Sequence, residues 1–170
     1  GGWIPKGRKT EAGRLHDKYQ LQEMPTSSYP KRTVQNIIDS DGTLIISNGE
    51  LTDGSAYTRE MALAHQKPWL HIDLNNISKF DAAMKTSEWL LKNRVEIVNV
   101  AGPRSSKDPE IYQAVKDVLE SAYYLNLTGD DTGSLLQIPP VSVEEAANRL
   151  IAEMTLKDRT TLANMHESQL

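Results

Sequence analysis

Five cations, Lys6, Arg8, Arg32, Arg59 and Arg104, fall in or beside glycine-containing segments, with the hydroxyls of Ser55, Thr58, Ser105 and Ser106 near them in sequence. A guanidinium grips phosphate or carboxylate through paired N–H donors, and hydroxyls orient the remaining oxygens. The set therefore suits a phosphorylated or otherwise anionic small molecule. A plain solvated position explains at least half of these cations equally well when each is taken singly. Arg104 stands apart because Gly102-Pro103 fix the loop that carries it. Lys6, Gly7 and Arg8 belong to an opening run, Gly1 to Lys9, in which three glycines let backbone and charge approach an anion together.

A second group, Gly49, Thr52, Asp53, Gly54, Ser55 and Thr58, lies between the apolar run Thr43 to Ser47 and the amphipathic pattern of Met61, Leu63 and Ala64. That order reads as strand, polar loop and helix. The free amides of a helix N-terminus and its dipole both favour a phosphate at such a place. The competing reading is that these residues only turn and cap the chain, with Thr52 or Asp53 as N-cap.

Other chemistries find less support. There is no cysteine, which removes disulfides, thiolate metal sites and cysteine nucleophiles. His16, His65, His71 and His166 are scattered, and none stands at metal-ligand spacing from another. His71 and Asp73 alternate on one strand and read as a satisfied strand-end pair rather than a metal site. Asp39 and Asp41 flank Ser40 where turn formation explains them. There is no Walker loop, and Gly49 to Gly54 lacks the spacing of a dinucleotide fingerprint. Nucleic acid is not the expected partner, since the net charge is −4 and no basic stripe is interleaved with aromatics. No apolar run has the length needed to span a bilayer and no signal peptide is evident, so the expected location is the cytoplasm.

The elements that would hold these groups alternate. Pro30 opens a helix with Ser27 or Ser28 as cap and Val34, Ile37 and Ile38 as apolar face. The central strand and loop lead into a helix of about 54–66. Trp69 to Leu74 reads as a strand, 77–93 as a helix, Val95 to Val100 as a third strand, and about 108–124 as a helix with Pro109 in its first turn. Residues 10–28 read as a surface loop, with Tyr19 to Leu21 a possible edge strand. Such alternation predicts a mostly parallel sheet with helices on both faces. In that architecture the loops 48–58 and 101–107 share the carboxyl edge of the sheet, where ligands bind.

The expected organisation is a main domain over residues 1–125, a linker over 126–140 and a two-helix acidic module over 141–170. Residues 1–125 hold 16 basic and 16 acidic side chains, and residues 126–170 hold 3 and 7. Ser142 to Glu145 resembles a capping box before Ala146, Ala147, Leu150 and Ile151. Two helices of that size need a surface to dock on, whether the main domain, a partner or a second copy.

Gly2-Trp3-Ile4-Pro5-Lys6-Gly7-Arg8, Tyr29 through Thr33 with Asn36, Asp39-Ser40-Asp41, Gly49 with Leu51-Thr52, Gly54-Ser55 through Thr58, and Asn99 through Arg104 together resemble the family described as molybdenum cofactor carriers. The resemblance runs over about residues 1–120. It implies a Rossmann-like three-layer α/β fold with a small C-terminal helical appendage. It also implies a superfamily shared with lysine decarboxylase-like phosphoribohydrolases. In those enzymes a glycine loop and a following helix glutamate serve a nucleotide monophosphate, and Gly54 and Glu60 stand at comparable places. Members usually begin with a strand, a glycine loop and a helix ahead of the equivalent of Gly1, so that unit is expected to be missing or supplied elsewhere.

The leading expectation is a binding protein holding molybdenum cofactor (molybdopterin) or another phosphorylated pterin or nucleotide. Lys6, Gly7, Arg8, Arg32, Gly49, Thr52, Gly54, Ser55, Thr58, Gly102 and Arg104 are its candidate ligand residues, with no metal ligand from the chain. The alternatives are a nucleotide or phosphoribosyl hydrolase using Glu60 or Asp53, and a nucleotide-derivative sensor whose acidic tail recruits a partner. A homo-oligomer is the default for the superfamily.

Overall fold

The structure is a computed structural model and describes residues 1–129; the expected linker beyond Gly129 and the expected two-helix module lie outside the described residues. The described chain runs as β1 (Trp3–Ile4), β2 (Lys9–Thr10), β3 (Gly13–Arg14), β4 (Gln22–Glu23), α1 (Tyr29–Ile38), β5 (Gly42–Ser47), α2 (Asp53–Ala64), β6 (Trp69–Asp73), α3 (Lys79–Lys92), β7 (Val98–Ala101) and α4 (Ile111–Gly129). It is a mixed α/β protein with parallel sheets, consistent with a Rossmann-like fold. No helix among the described residues is long and apolar enough to cross a membrane.

The main sheet has the order β6-β5-β7, with both pairings parallel. All six residues of β5 are buried, as a central parallel strand covered on both faces requires. Leu44 and Ile46 point to one face, where they pack with Ile72, Ala82, Ile111 and Val118. Ile45, equally buried, points to the other by the alternation of strand side chains. The step from β5 to β6 runs across the sheet in one direction, and the step from β6 to β7 runs back past β5. With right-handed crossovers, α2 and α3 then lie on opposite faces. The chain leaves β5 for α2 and leaves β7 for α4. The gap between the carboxyl ends of β5 and β7 is thus a point where the connections diverge, and a crevice forms there.

The helices begin where the sequence offers caps. Ser28 accepts a hydrogen bond from the Lys31 amide at 3.4 Å and Pro30 sits in the first turn of α1. Ser78 caps α3 through the Asp81 amide at 3.1 Å. The third strand, expected from Val95, begins at Val98 and ends at Ala101, and two helix expectations shift as well. Helix α4 starts at Ile111, so Pro109 lies in the preceding turn, where the Asp108 amide bonds to Arg104 O. Its far end runs on to Gly129. Ile38, expected on the apolar face of α1, is 41 % exposed, while Ile37 is fully buried.

Residues 10–28, expected as a surface loop, carry the far side of a hairpin and β4, and the edge strand expected at Tyr19 to Leu21 falls instead at Gln22–Glu23. β1 and β4 pair in parallel, with Trp3 opposite Gln22 and Ile4 opposite Glu23. β2 and β3 form a small antiparallel hairpin. Asn36 of α1 holds β1 from the other side, accepting from Trp3 N at 2.7 Å and donating to Trp3 O at 3.3 Å. One side-chain amide thereby replaces a neighbouring strand.

Candidate functional site

Tyr29, Arg32, Thr33 and Asn36 are spaced three and four apart and form one stripe of α1. All four line a cleft of about 660 Å³. The opposite wall is made by Asp53, Gly54, Tyr57 and Thr58 at the start of α2 and by Asn99 to Gly102 and Arg104 at the end of β7. Trp3 and Ile4 of β1 and Lys9, Thr10 and Glu11 of the hairpin close the remaining side. The cleft runs along β7 from Asn99 and past its carboxyl end, and no residue of β5 lines it; the gap between the carboxyl ends of β5 and β7, where the sheet topology places a ligand, is a separate, smaller cavity lined by Ser47, Asn48, Pro103 and Lys107.

Gly102 lets the two strands' loops come together. A Cβ added to it would lie 2.6 Å from Ile46 O, inside any tolerable contact with backbone. The loop that carries Arg104 can therefore run against β5 only if residue 102 has no side chain.

The start of α2 leaves polar groups open. Thr52 is the N-cap residue by position, yet its side chain makes no capping hydrogen bond. The expectation of a cap at Thr52 or Asp53 is corrected in that respect. Asp53 has φ 45°, a left-handed conformation uncommon for a residue with a side chain, and its carboxylate accepts from Lys107 Nζ. That bond is the largest influence holding the Asp53 carboxyl below the usual carboxylate range.

The cations of the cleft differ sharply in their partners. Arg104 Nη1 donates to Glu11 Oε1 at 3.2 Å, and its guanidinium stacks over the Tyr29 ring at 5.7 Å. Arg32 is partly buried, and its Nε is fully enclosed without a hydrogen-bond partner. No carboxylate pairs with Arg32 among the described residues. Burial lowers its pKa most, the nearby Tyr29 opposes that, and the positive charge of Arg104 adds to the lowering. A guanidinium taken partly out of water with no acceptor is costly, and an anion in the cleft would relieve that cost.

The model of the circularly permutated YpsA SLOG family matches residues 1–123. The chain belongs to that family. A crystal structure of a protein named "Putative molybdenum carrier protein", from Syntrophus aciditrophicus SB, is similar to this SLOG chain at 56% sequence identity and a TM-score of 0.70. The likeness covers 71% of this chain and 77% of that one. No protein with a curated description matches. The family recognised in the sequence is thus the family found.

Within this SLOG chain the candidate residues separate into groups. Arg32, Gly54, Thr58, Gly102 and Arg104 line the cleft, and so does Asp53. Thr58 is buried and its hydroxyl donates to Gly54 O at 2.8 Å. Thr52 and Ser55 line a smaller, polar cavity of about 390 Å³ with Ser47, Asn48, Lys107 and Asp108. Gly49 lines neither cavity. With φ 97° it makes the turn after β5, its amide donating to Asp73 Oδ1 at 2.7 Å and its carbonyl accepting from Ser47 Oγ at 2.7 Å.

Lys6, Gly7 and Arg8 lie outside both cavities. Lys6 is exposed, and its amide donates to Thr26 O at 2.9 Å. The Gly7 amide donates to Glu23 Oε1 at 2.9 Å. Arg8 corrects the expectation of an anion ligand most clearly. It is buried, and its guanidinium donates to the carbonyls of Leu15, His16, Tyr19 and Leu21. Arg59 sits on α2 outside both cavities, and Glu60 is exposed on the same helix and lines neither. Glu60 is therefore not placed to reach a ligand in the cleft.

The His71 and Asp73 pair is bound into the turn after β5. His71 Nε2 lies 2.8 Å from Ser47 Oγ. Because that hydroxyl already donates to Gly49 O, the imidazole is the donor. Among the described residues no cluster of histidines and carboxylates could hold a metal ion.

Most of the cleft lining was missing from the candidate set, Tyr29, Asn36 and Glu11 among it. Tyr29 and Asn36 belong to segments that carry the family resemblance, and their helical spacing from Arg32 was the available signal. Glu11 sits in a polar stretch without periodicity, and nothing local marks it.

Proposed function

We propose that this protein is a carrier that holds molybdenum cofactor, or a phosphorylated pterin or nucleotide of the same chemistry, in the cleft between α1, the start of α2 and β7. The observation that carries this reading is Arg32, which lines the cleft although no carboxylate pairs with it among the described residues and its enclosed Nε has no hydrogen-bond partner there. The name of the similar Syntrophus protein supports the choice of ligand class.

In this reading the phosphate meets Arg32 and the amides of Asp53 and Gly54, which precede the Ser55 amide that donates to Thr52 O, with Thr33 as an additional donor. Tyr29, Tyr57 and Trp3 supply aromatic surface on which a flat heterocycle stacks. Molybdenum travels as cargo on the dithiolene of the pterin, since the chain has no cysteine to ligate it. The protein's own part is to bind, orient and shield. Carriage needs no proton transfer from the chain, which agrees with Asp53 being engaged by Lys107 and Glu60 lying away from the cleft.

The test is native mass spectrometry of the protein isolated gently from cells that make molybdenum cofactor. A co-purifying mass of a phosphorylated pterin, lost in Arg32→Met, is expected. A nucleotide mass or a clean ligand-free mass overturns the choice of molybdenum cofactor.

A further inference from the structure

The β2–β3 hairpin is tied to the rest of the fold at few points. At its base Leu15 N donates to Arg8 O at 2.8 Å, and the buried Arg8 guanidinium fixes the chain that follows. The tip, residues 9–14, closes on itself: Lys9 pairs with Arg14 and Thr10 with Gly13, and Thr10 Oγ1 donates to Gly13 O at 2.8 Å. Arg14 also donates to Asp17, just after the hairpin, at 2.8 and 3.2 Å. The tip's hydrogen bonds to more distant elements come from Tyr29 OH to Lys9 O at 3.4 Å, from Arg104 Nη1 to Glu11 Oε1 at 3.2 Å, and from Ser106 Oγ to the same oxygen at 2.9 Å. The Tyr29 bond is long for a hydroxyl donor. Glu11 is therefore the principal latch.

This latch joins two walls of the cleft. Lys9 to Glu11 form one and the loop after β7 the other. The carboxylate of Glu11 rests on the guanidinium of Arg104 and on the hydroxyl of Ser106, a charged and a neutral donor of the kind a phosphate oxygen recruits. Among the described residues, one arginine of the cleft is thus satisfied by the protein's own anion and the other, Arg32, has none.

We propose that Glu11 is a built-in competitor of the ligand's oxyanion, and that residues 9–14 form a strap which the ligand opens by replacing Glu11 on Arg104 and Ser106. This inference rests on the anionic-ligand reading above. The competition is gentle. The Glu11 side chain is 36% exposed and that of Arg104 62%, so water screens their attraction, and a dianionic phosphate offers more charge and more acceptor oxygens. Glu11 sets how readily the cleft accepts and gives up its ligand, which suits a carrier that must do both.

The experiment compares the full wild-type chain with Glu11→Ala and Glu11→Gln, using inorganic phosphate as probe. Calorimetric titration gives affinity, and amide hydrogen exchange of residues 9–14 gives the state of the strap. Glu11→Ala is expected to bind phosphate about two- to fivefold more tightly, the range of an exposed ion pair, with Glu11→Gln between it and wild type. In wild type, phosphate should speed exchange in residues 9–14; in Glu11→Ala that exchange should be fast from the start. Equal affinities, or strap exchange that phosphate leaves unchanged in wild type, would overturn the competitor while the anion site stands. No phosphate binding by any of the three chains would overturn the inference together with the reading beneath it.

Discussion

Two arginines that look alike in the sequence have opposite fates in the fold. Arg8 is buried, and its guanidinium meets four backbone carbonyls and the carboxylate of Asp17 at 3.3 Å. Arg32 is partly buried with its Nε enclosed, and among the described residues its guanidinium meets no acceptor. Arg8 organises residues 15–21, a stretch with too few apolar side chains to hold itself. Its fork of N–H donors gathers carbonyls that have no sheet to join. Arg32 organises nothing around it. The difference teaches that enclosure of a charge identifies a ligand site only when the partners are absent, because a satisfied buried cation is already accounted for by the fold.

The largest effect expected from breaking this contrast is at Arg8. Arg8→Ala leaves four carbonyls to find new donors and should destabilise the protein by roughly 2–4 kcal/mol. That corresponds to a fall in melting temperature of about 5–15 °C for a chain of this size, read by scanning calorimetry. Arg8→Lys should recover little of it, since an ammonium cannot span the same fork. A melting temperature equal to wild type would show that the carbonyls do not depend on Arg8.

Arg32→Met should do the reverse. Removing a desolvated charge without a partner leaves stability unchanged or slightly higher, while affinity for inorganic phosphate falls about 10- to 100-fold, as loss of a charged hydrogen-bond donor implies. Melting and titration on the same preparation separate the two readouts. If Arg32→Met melts as low as Arg8→Ala, Arg32 is a structural residue like Arg8, and the cleft loses the observation that marks it.

The contrast also shows what could be read before the structure. The β-branched run at Thr43 to Ser47 and the alternation of apolar strands with amphipathic helices made the parallel sheet legible, because burial on both faces imposes a local pattern. The smaller cavity at the carboxyl ends of β5 and β7 followed from that topology, whereas the larger cleft beside β7 and α1 did not. Which cation faces it did not follow. Lys6, Gly7 and Arg8 cluster with glycines as an anion site would, but whether Arg8 turns toward a ligand or toward carbonyls 7 to 13 residues away is a tertiary matter. The partnership of Glu11 with Arg104 spans 93 residues of sequence, and no short-range signal reports it. The hairpin and the parallel pairing of β1 with β4 were also illegible: two-residue strands carry no periodicity, and Asn36 holds β1 through a bond from another element.

The smallest expected effect repeats the contrast in a pair of titrating groups behind the turn at Gly49. Asp73 and His71 both have lowered pKa values, for different reasons. The Asp73 carboxylate is held below its ordinary 3.8 first by the Gly49 amide and then by the Asn75 amide, so partners favour its charged form. His71 is held below its ordinary 6.5 chiefly by burial; Asp73 opposes this and Arg59 adds to it, so enclosure disfavours its charged form. The signs on stability follow from proton counting. Below pH 6.5 the unfolded chain takes up a proton at His71 that the folded chain resists, so stability starts to fall as the pH drops through that value. The contribution of Asp73 is complete above 3.8 and is lost only as the pH falls below it, together with those of Asp17, Asp39, Asp53 and Asp117, whose carboxyls are lowered as well. Urea midpoints measured from pH 7.5 down to 3 should therefore decline in two stages. His71→Gln keeps an N–H for Ser47 and should erase a part of the first stage, touching the second only through the minor help His71 gives the Asp73 carboxylate, whereas Asp73→Asn should diminish the second and, by removing the charge that opposes the lowering at His71, deepen the first. If His71→Gln leaves the upper stage unaltered, the imidazole is not sufficiently enclosed to matter, and the rule that separates Arg8 from Arg32 does not extend to the turn behind α2.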